Sequence, residues 1–347
     1  SMVLAANLEN LTFISVANAD GYGNSLDNVL TAGGGNNILS GGSGTDTVSY
    51  ATATSAVTVS LAIAGAQATG GSGTDTLSGF ENLTGSAFND NLTGNAGANV
   101  LDGGLGADTM TGGDGNDVYF YDNAGDTIIE TSTGGIDEVR TFGSLVLGAN
   151  LENLTLMTTG AADGYGNGLD NRLTGGAGAN ILSAGAGTDT LVGGAGNDTL
   201  TGGSGNDTFV LNSLIGSDTI TDFTSGSDKI SISQAGIVVG NGNTTIDGAT
   251  TVAGPGGFST AAELVVVTAN IAGAINTTTA AAAIGSATGA YTIGSKALFI
   301  VDNGTSSALY LFGALDADAQ VESAELTLLA SLSATPSVGT GDLLFGP

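Results

Sequence analysis

From Gly166 to Val210 the sequence reads GNGLDNRLT, GGAGANILS, AGAGTDTLV, GGAGNDTLT and GGSGNDTFV, five contiguous nonamers with one shared pattern. Gly dominates the first four places, the sixth is Asp or Asn, and the eighth is apolar. Four more nonamers run from Gly85 to Phe120: GSAFNDNLT, GNAGANVLD, GGLGADTMT and GGDGNDVYF. Three weaker ones run from Gly23 to Ser49, and an isolated GGSGTDTLS occupies 70–78. A flexible linker would not keep its acidic and apolar residues in phase, so this is a repeat architecture.

A longer period overlies the short one. Residues 6–46 realign with 149–189: ANLENLTF…DGYGNSLDNVLT against ANLENLTL…DGYGNGLDNRLT. ENLT recurs at Glu9, Glu81 and Glu152, so three blocks open on ENLT and continue into nonamers. Two less regular stretches, 50–69 and 121–148, separate them with strand-like alternation such as Ala56-Val57-Thr58-Val59-Ser60-Leu61. One solenoid with irregular coils over 1–210 is expected, not three domains.

The residue types state a chemistry. Within each unit the first six residues suit a turn and the last three a short strand. Gly lets the backbone approach closely and turn carbonyls to a common point. The Asp adds a carboxylate, and oxygen ligands of this kind select hard cations. The apolar eighth residue points inward to stack on its counterpart.

The nonamers resemble those of the repeats-in-toxin (RTX) family, whose pattern G-G-x-G-x-D-x-U-x, with U apolar, belongs to calcium-binding β-helices. The resemblance covers about half of the chain strictly, and about 60% with the ENLT-linked coils. It implies an all-β, right-handed parallel β-roll in which two nonamers make one turn, so that residues 18 apart are stacked neighbours. Shared Ca²⁺ sites are then expected at Asp189 with Asp207, Asp90 with Asp108, Asn180 with Asp198, and Asn99 with Asp117. Asn171 with Asp189 and Asn28 with Asp46 are further candidates. Two-carboxylate sites should bind tightest, because Asn brings an oxygen without a formal charge. Asp75 has no partner 18 residues away and is the weakest candidate. With free Ca²⁺ at ten times the dissociation constant, each independent site adds about 1.4 kcal/mol, so several sites together rival the stability of a domain. The resemblance further implies export through a type I secretion machinery and folding in external calcium.

Composition agrees and excludes much. Of 347 residues 60 are Gly, and the formal charge is −29, from 4 basic and 33 acidic side chains. There is no Cys, His or Trp. Disulfides, thiolate nucleophiles and a Ser-His-Asp triad are therefore impossible, and zinc loses its preferred ligands. Four basic residues cannot neutralise a phosphate backbone, which excludes nucleic acid and anionic membranes as partners. At 41% hydrophobic and 11% charged residues the chain is not a disordered acidic tail. No 18-residue apolar run exists, so no transmembrane segment is expected. Ser1-Met2-Val3-Leu4 lacks a cationic n-region and a repeat unit follows almost at once, so the sequence reads as a fragment or C-terminal part.

After Val210 the nonamers stop. Asn212 to Ser233, NSLIGSDTITDFTSGSDKISIS, resembles the segment that follows the β-roll in many secreted RTX proteins, and 211–347 is expected to cap the solenoid and carry the secretion signal. Helices are expected at Ser259–Ile271, Thr277–Ala287 and Val321–Leu332, and a hairpin at Lys296–Phe312 around Asp302-Asn303-Gly304. Asp342-Leu343-Leu344-Phe345 is similar to the acidic-then-apolar ends of type I substrates, here followed by Gly346-Pro347.

Bland readings outweigh sharper ones at several positions. Glu9, Glu81 and Glu152 could contact a glycan or metal, but ENLT suits a structural corner with Leu in the core. Tyr119-Phe120-Tyr121 suits the end of a core better than a sugar platform. Lys229 suits a surface pair with Asp228. The N-x-T triplets follow from the repeats and do not mark glycosylation. No catalytic residue is expected, and the chain is not expected to be an enzyme. Three uses stay open: a structural module of an extracellular or cell-surface protein, such as an adhesin or surface-layer subunit, with possible self-association through calcium; the folding and export domain of a secreted protease or lipase; or a module binding cell-surface polysaccharide.

Overall fold

In the computed structural model, which describes residues 1–240, 245–333 and 338–346, the chain is an all-β parallel solenoid with few short helices. Pro347 lies outside the described residues. The chain forms two compact units, Ser1–Gly143 with Leu147–Thr155, and Ser144–Val146 with Leu156 onward.

In the first unit each nonamer contributes one strand of about three residues. One parallel sheet takes Asn10–Thr12, Val29–Thr31, Thr47–Ser49, Asn82–Thr84, Val100–Asp102, Val118–Tyr121 and Glu138–Thr141 in order. Alternate strands go elsewhere: Thr58–Ser60, Asn91–Thr93, Thr109–Thr111 and Thr127–Ile129 form a second parallel sheet. The register fixes the coil length: Leu83 pairs with Leu101, Leu101 with Tyr119, and Leu92 with Met110, each 18 residues on.

The core follows from that register. Leu30, Leu39, Val48, Leu92, Leu101, Met110 and Tyr119 occupy eighth places, and all are fully buried. A strand this short buries one side chain inward and leaves its two neighbours facing out, by the period of two. The ENLT segments use the same device, with Leu11, Leu83 and Leu154 buried. Asn7 and Asn150, at equivalent places in the long repeat, both adopt left-handed backbone with φ of 65° and 62°. Asn tolerates that region better than most residues, which accounts for its recurrence at this corner.

Within 50–69, Thr58–Ser60 stays in the coil beside Asn91–Thr93, and the residues that follow it loop out. Ala66–Gly70 folds back antiparallel on Gly73–Ser78, which returns to the stack beside Ile38–Ser40. Leu77 thereby packs on Leu39, 38 residues away instead of 18.

In the second unit the same coil runs through Leu173, Leu182, Leu191, Leu200 and Phe209, all fully buried. Asp218–Ile220 and Lys229–Ser233 extend the two sheets beyond the last nonamer. Leu343–Gly346 then pairs parallel with Lys229–Ser233, and Leu326–Leu332 with Asp218–Ile220. Ser307–Gly313, Lys296–Asp302, Leu264–Asn270 and Thr250–Val252 complete that sheet outward. The expected hairpin at Asp302-Asn303-Gly304 is present. So is the second expected helix, Thr277–Ile284, with Asn276 capping the Thr278 and Thr279 amides and Gly285 following its last turn.

Two expected helices are strands. Ser259–Ile271 contains the strand Leu264–Asn270, whose first four residues are all buried. A central strand covered on both faces reads as an unbroken apolar run, and its three consecutive Val residues favour extended backbone. Val321–Leu332 is a single 3-10 turn, Ser323–Glu325, then the strand Leu326–Leu332. Its position between the hairpin and Asp218–Ile220 supplies ladder partners on both sides, and pairing overrides helix propensity.

Candidate functional site: the stacked carboxylate turns

The sixth residue of each nonamer lies between the turn and the strand, and its side chain is buried. Asn28, Asp46, Asp90, Asn99, Asp108, Asp117, Asn171, Asn180, Asp189, Asp198 and Asp207 are each at most 3% exposed. Their stacking is reported by hydrogen bonds. The amide of Asn28 donates to Asp46 Oδ1 at 2.7 Å, Asp90 to Asp108 at 2.7 Å, and Asn99 to Asp117 at 2.7 Å. Asn171 donates to Asp189 at 2.7 Å, Asn180 to Asp198 at 2.8 Å, and Asp189 to Asp207 at 3.0 Å. All six residue pairs anticipated at a spacing of 18 are thus neighbours.

At six positions the ladder uses one carboxylate oxygen and leaves the other, whereas Asp90 Oδ2 accepts the Ser86 amide. Oδ2 of Asp46, Asp108, Asp117, Asp137, Asp189 and Asp198 is buried without a hydrogen-bond partner. A buried polar atom left unpaired costs about 1–3 kcal/mol, and more when charged. At Gly112 the reason for glycine is direct: a Cβ there would stand 2.0 Å from Asp117 Oδ2.

Burial sets the electrostatics. Desolvation pushes Asp108, Asp117 and Asp189 up to about 6, with nearby carboxylates adding to it: Asp90 beside Asp108, Asp137 beside Asp117, Asp207 beside Asp189. Asp218 rises to about 7, through burial first and then Asp198. Asp46, Asp198 and Asp207 are also raised by burial. Carboxyls held this way either keep a proton or meet a cation. Hard, oxygen-seeking divalent ions suit the donors: carboxylates, Asn side chains and turn carbonyls.

Asp75 is different. It is fully buried and stacks on Asn37, whose amide donates to Asp75 Oδ1 at 2.8 Å. Its Oδ2 accepts the Thr69 hydroxyl at 3.2 Å, so the looped-out segment supplies the donor that the six unpaired Oδ2 atoms lack.

The ladder also runs through coils that strict nonamer counting passes over. Asp108 donates to Asp126, Asp117 to Asp137, Asp198 to Asp218 and Asp207 to Asp228, at spacings of 18, 20, 20 and 21. Three of these acceptors keep a Gly-x-Asp-x-apolar tail: Gly135 to Val139, Gly216 to Ile220 and Gly226 to Ile230. That tail was the signal available. Two ENLT glutamates take the Asp role: Glu81 accepts the Asp46 amide at 2.8 Å and Glu152 the Asp137 amide at 2.9 Å. Lys229 pairs with Asp342 at 3.5 Å, not with Asp228, whose Oδ1 is the acceptor for Asp207.

A second ladder of opposite polarity lies outside the first. In the fifth place, Asp27 accepts the Thr45 amide at 2.8 Å, Asn89 that of Ala107 at 3.0 Å and Asp170 that of Thr188 at 2.7 Å. Here the side chain of one coil serves the backbone of the next.

The RTX calcium-binding nonapeptide repeat model matches in four copies, at 22–51, 84–119, 165–200 and 184–220, together about a third of the chain. None of the curated proteins compared with the chain matches it. The matched segments coincide with the ladder blocks, and the calcium-binding repeats they represent are structural and typical of secreted proteins. Among the described residues no helix is long and apolar enough to cross a membrane.

Proposed function

We propose that this RTX-type repeat protein is a structural module that folds when calcium enters its stacked turns, in a protein exported by a type I machinery to the extracellular space or cell surface. Residues 1–210 act as the calcium-dependent solenoid and 211–347 as its cap. The observation that carries the reading is the set of buried Asp Oδ2 atoms without partners, repeated where the carboxylates stack. The ligands are Asp46, Asp90, Asp108, Asp117, Asp189, Asp198 and Asp207 with Asn28, Asn99, Asn171 and Asn180; bound calcium would supply the positive charge that this buried array lacks. Asp75 contributes least, because Thr69 already serves it.

An adhesin-like or surface-layer-like role fits a strongly acidic repeat better than a catalytic one, since the ladder commits one oxygen of these buried acids to backbone. Circular dichroism tests the folding claim. Millimolar Ca²⁺ should convert coil to β and chelator should reverse it, whereas an unchanged spectrum overturns the proposal. Calcium-dependent sheets or filaments of the isolated chain would support the surface role; glycan binding that requires calcium would point to a polysaccharide-binding module instead.

A further inference from the structure

The coil between Tyr121 and Asp137 departs from the nonamer pattern, and it brings an additional acid to the ladder. Glu130 follows the strand Thr127–Ile129 and lies beside Asp117 and Asp137. Each of the three offers a carboxylate oxygen, and these atoms lie within 4.8 Å of one another. Two oxygens bound to one Ca²⁺ at ~2.4 Å can be at most about 4.8 Å apart, so the cluster already has the span of a coordination shell. Among the described residues no other three acidic groups come together in this way.

Two independent features show that the cluster is built for a ligand. Asp117 and Asp137 are 1% and 0% exposed, and Oδ2 of each has no hydrogen-bond partner. Their other oxygens are committed: Asp117 Oδ1 accepts the Asn99 amide and Asp137 Oδ1 the Asp117 amide. The walls are glycine. A Cβ on Gly112 would lie 2.0 Å from Asp117 Oδ2 and 2.2 Å from the Tyr119 hydroxyl, and one on Gly134 would lie 2.5 Å from Glu130 Oε2. Tyr119 donates its hydroxyl to Glu130 Oε1 and so holds the third carboxylate over the pair. Arg140, the nearest base in sequence, is engaged with Glu138 at 2.7 Å.

We infer that Asp117, Glu130 and Asp137 form a three-carboxylate divalent-cation site, distinct from the two-residue nonamer pairs, in which Glu130 is a ligand oriented by Tyr119. The inference rests on the calcium reading of the repeats and adds a ligand that their pattern does not contain. With three formal charges converging, this site binds tighter than the Asp–Asn pairs and accepts trivalent lanthanides readily, since affinity follows ligand charge.

Terbium and calcium are the probes, used on the full chain. Excitation of tyrosine should give sensitised Tb³⁺ emission that appears early in the titration. Tyr119→Phe should remove most of that early emission. Glu130→Gln should weaken one calcium-binding step about tenfold, with the calcium-induced β spectrum retained. If Tyr119→Phe leaves the early emission intact, no ion sits beside Tyr119 and the site is overturned, whether or not Glu130→Gln folds. A Glu130→Gln chain that folds and matches the parent in affinity and stoichiometry overturns it equally. In either case a parent chain that still folds on calcium leaves the solenoid reading standing, whereas a parent that takes up no calcium overturns both.

Discussion

The nonamer coils at 166–210 and the cap beyond residue 245 bury carboxylates in opposite ways. In the cap, Glu263 accepts the Asp247 amide, Asp302 accepts the Gly304 amide and the Ser307 hydroxyl, and Glu325 accepts the Leu315 and Glu322 amides. Asp342 receives the Ser225 hydroxyl and the Gly226 and Gly339 amides, and with Lys229 these outweigh burial and hold its carboxyl below the ordinary range. In the coils, Asp189 and Asp198 each keep a buried oxygen without a donor. The apolar cores differ as well. Each nonamer contributes one inward side chain, whereas the cap gathers Phe258, Phe299, Tyr310 and Phe312 in one cluster, with Phe299 and Phe312 edge to face at 5.8 Å. A region that satisfies its own buried carboxylates and owns a contiguous core can hold itself; on the calcium reading proposed above, the other needs an ion.

Chelation should break this comparison most visibly. Hydrogen exchange in chelator should release the amides of 166–210 while Lys296–Gly313 keeps measurable protection; simultaneous loss in both regions would show that the cap has no stability of its own. Phe299→Ala should cost about 3–5 kcal/mol, with the same cost in the cap whether calcium is saturating or doubled. Next in size, Asp189→Ala should raise the calcium midpoint of folding about tenfold, a change of ~1.4 kcal/mol, because it removes a ligand shared by two pairs. Asp75→Ala should move that midpoint little, and equal shifts would show that the Thr69 hydroxyl does not set Asp75 apart.

The last effect is one of pH. Asp108, Asp117 and Asp189 titrate near 6 in the fold and near the ordinary 3.8 when unfolded. Between these values the folded calcium-free chain holds more protons than the unfolded one. Its stability contribution is therefore fully present below about pH 4 and is lost as pH rises through about 6. Thermal melts in chelator should show a midpoint that falls across this window. Calcium competes with the same protons, so its affinity should rise across it.

What the sequence disclosed was whatever repeats with a fixed phase. Leu173, Leu191 and Phe209 could be stacked on paper because 18 residues separate each from the next, and the Asp and Asn pairs came with them. Asp137, Asp218 and Asp228 escaped because their coils are two or three residues longer, which changes the spacing but not the ladder. Glu81 escaped because a Glu from ENLT reaches the amide that an Asp would otherwise serve. In the cap no period exists to count. Leu264-Val265-Val266-Val267 is compatible with a buried helix or a buried strand, and only its neighbours Thr250–Val252 and Lys296–Asp302 decide.

The inner ladder has a direction, and truncation would feel it. Each coil's buried amide is satisfied by the acid of the coil that follows, ending with Asp218 and Asp228 for the last nonamers. Shortening the protein from its front would strip away donors and leave acids that water can solvate at the new end. Shortening it from the back would strand a donor inside the wall, where solvent reaches it poorly. The stack of coils is therefore expected to tolerate erosion from one end and to unravel from the other.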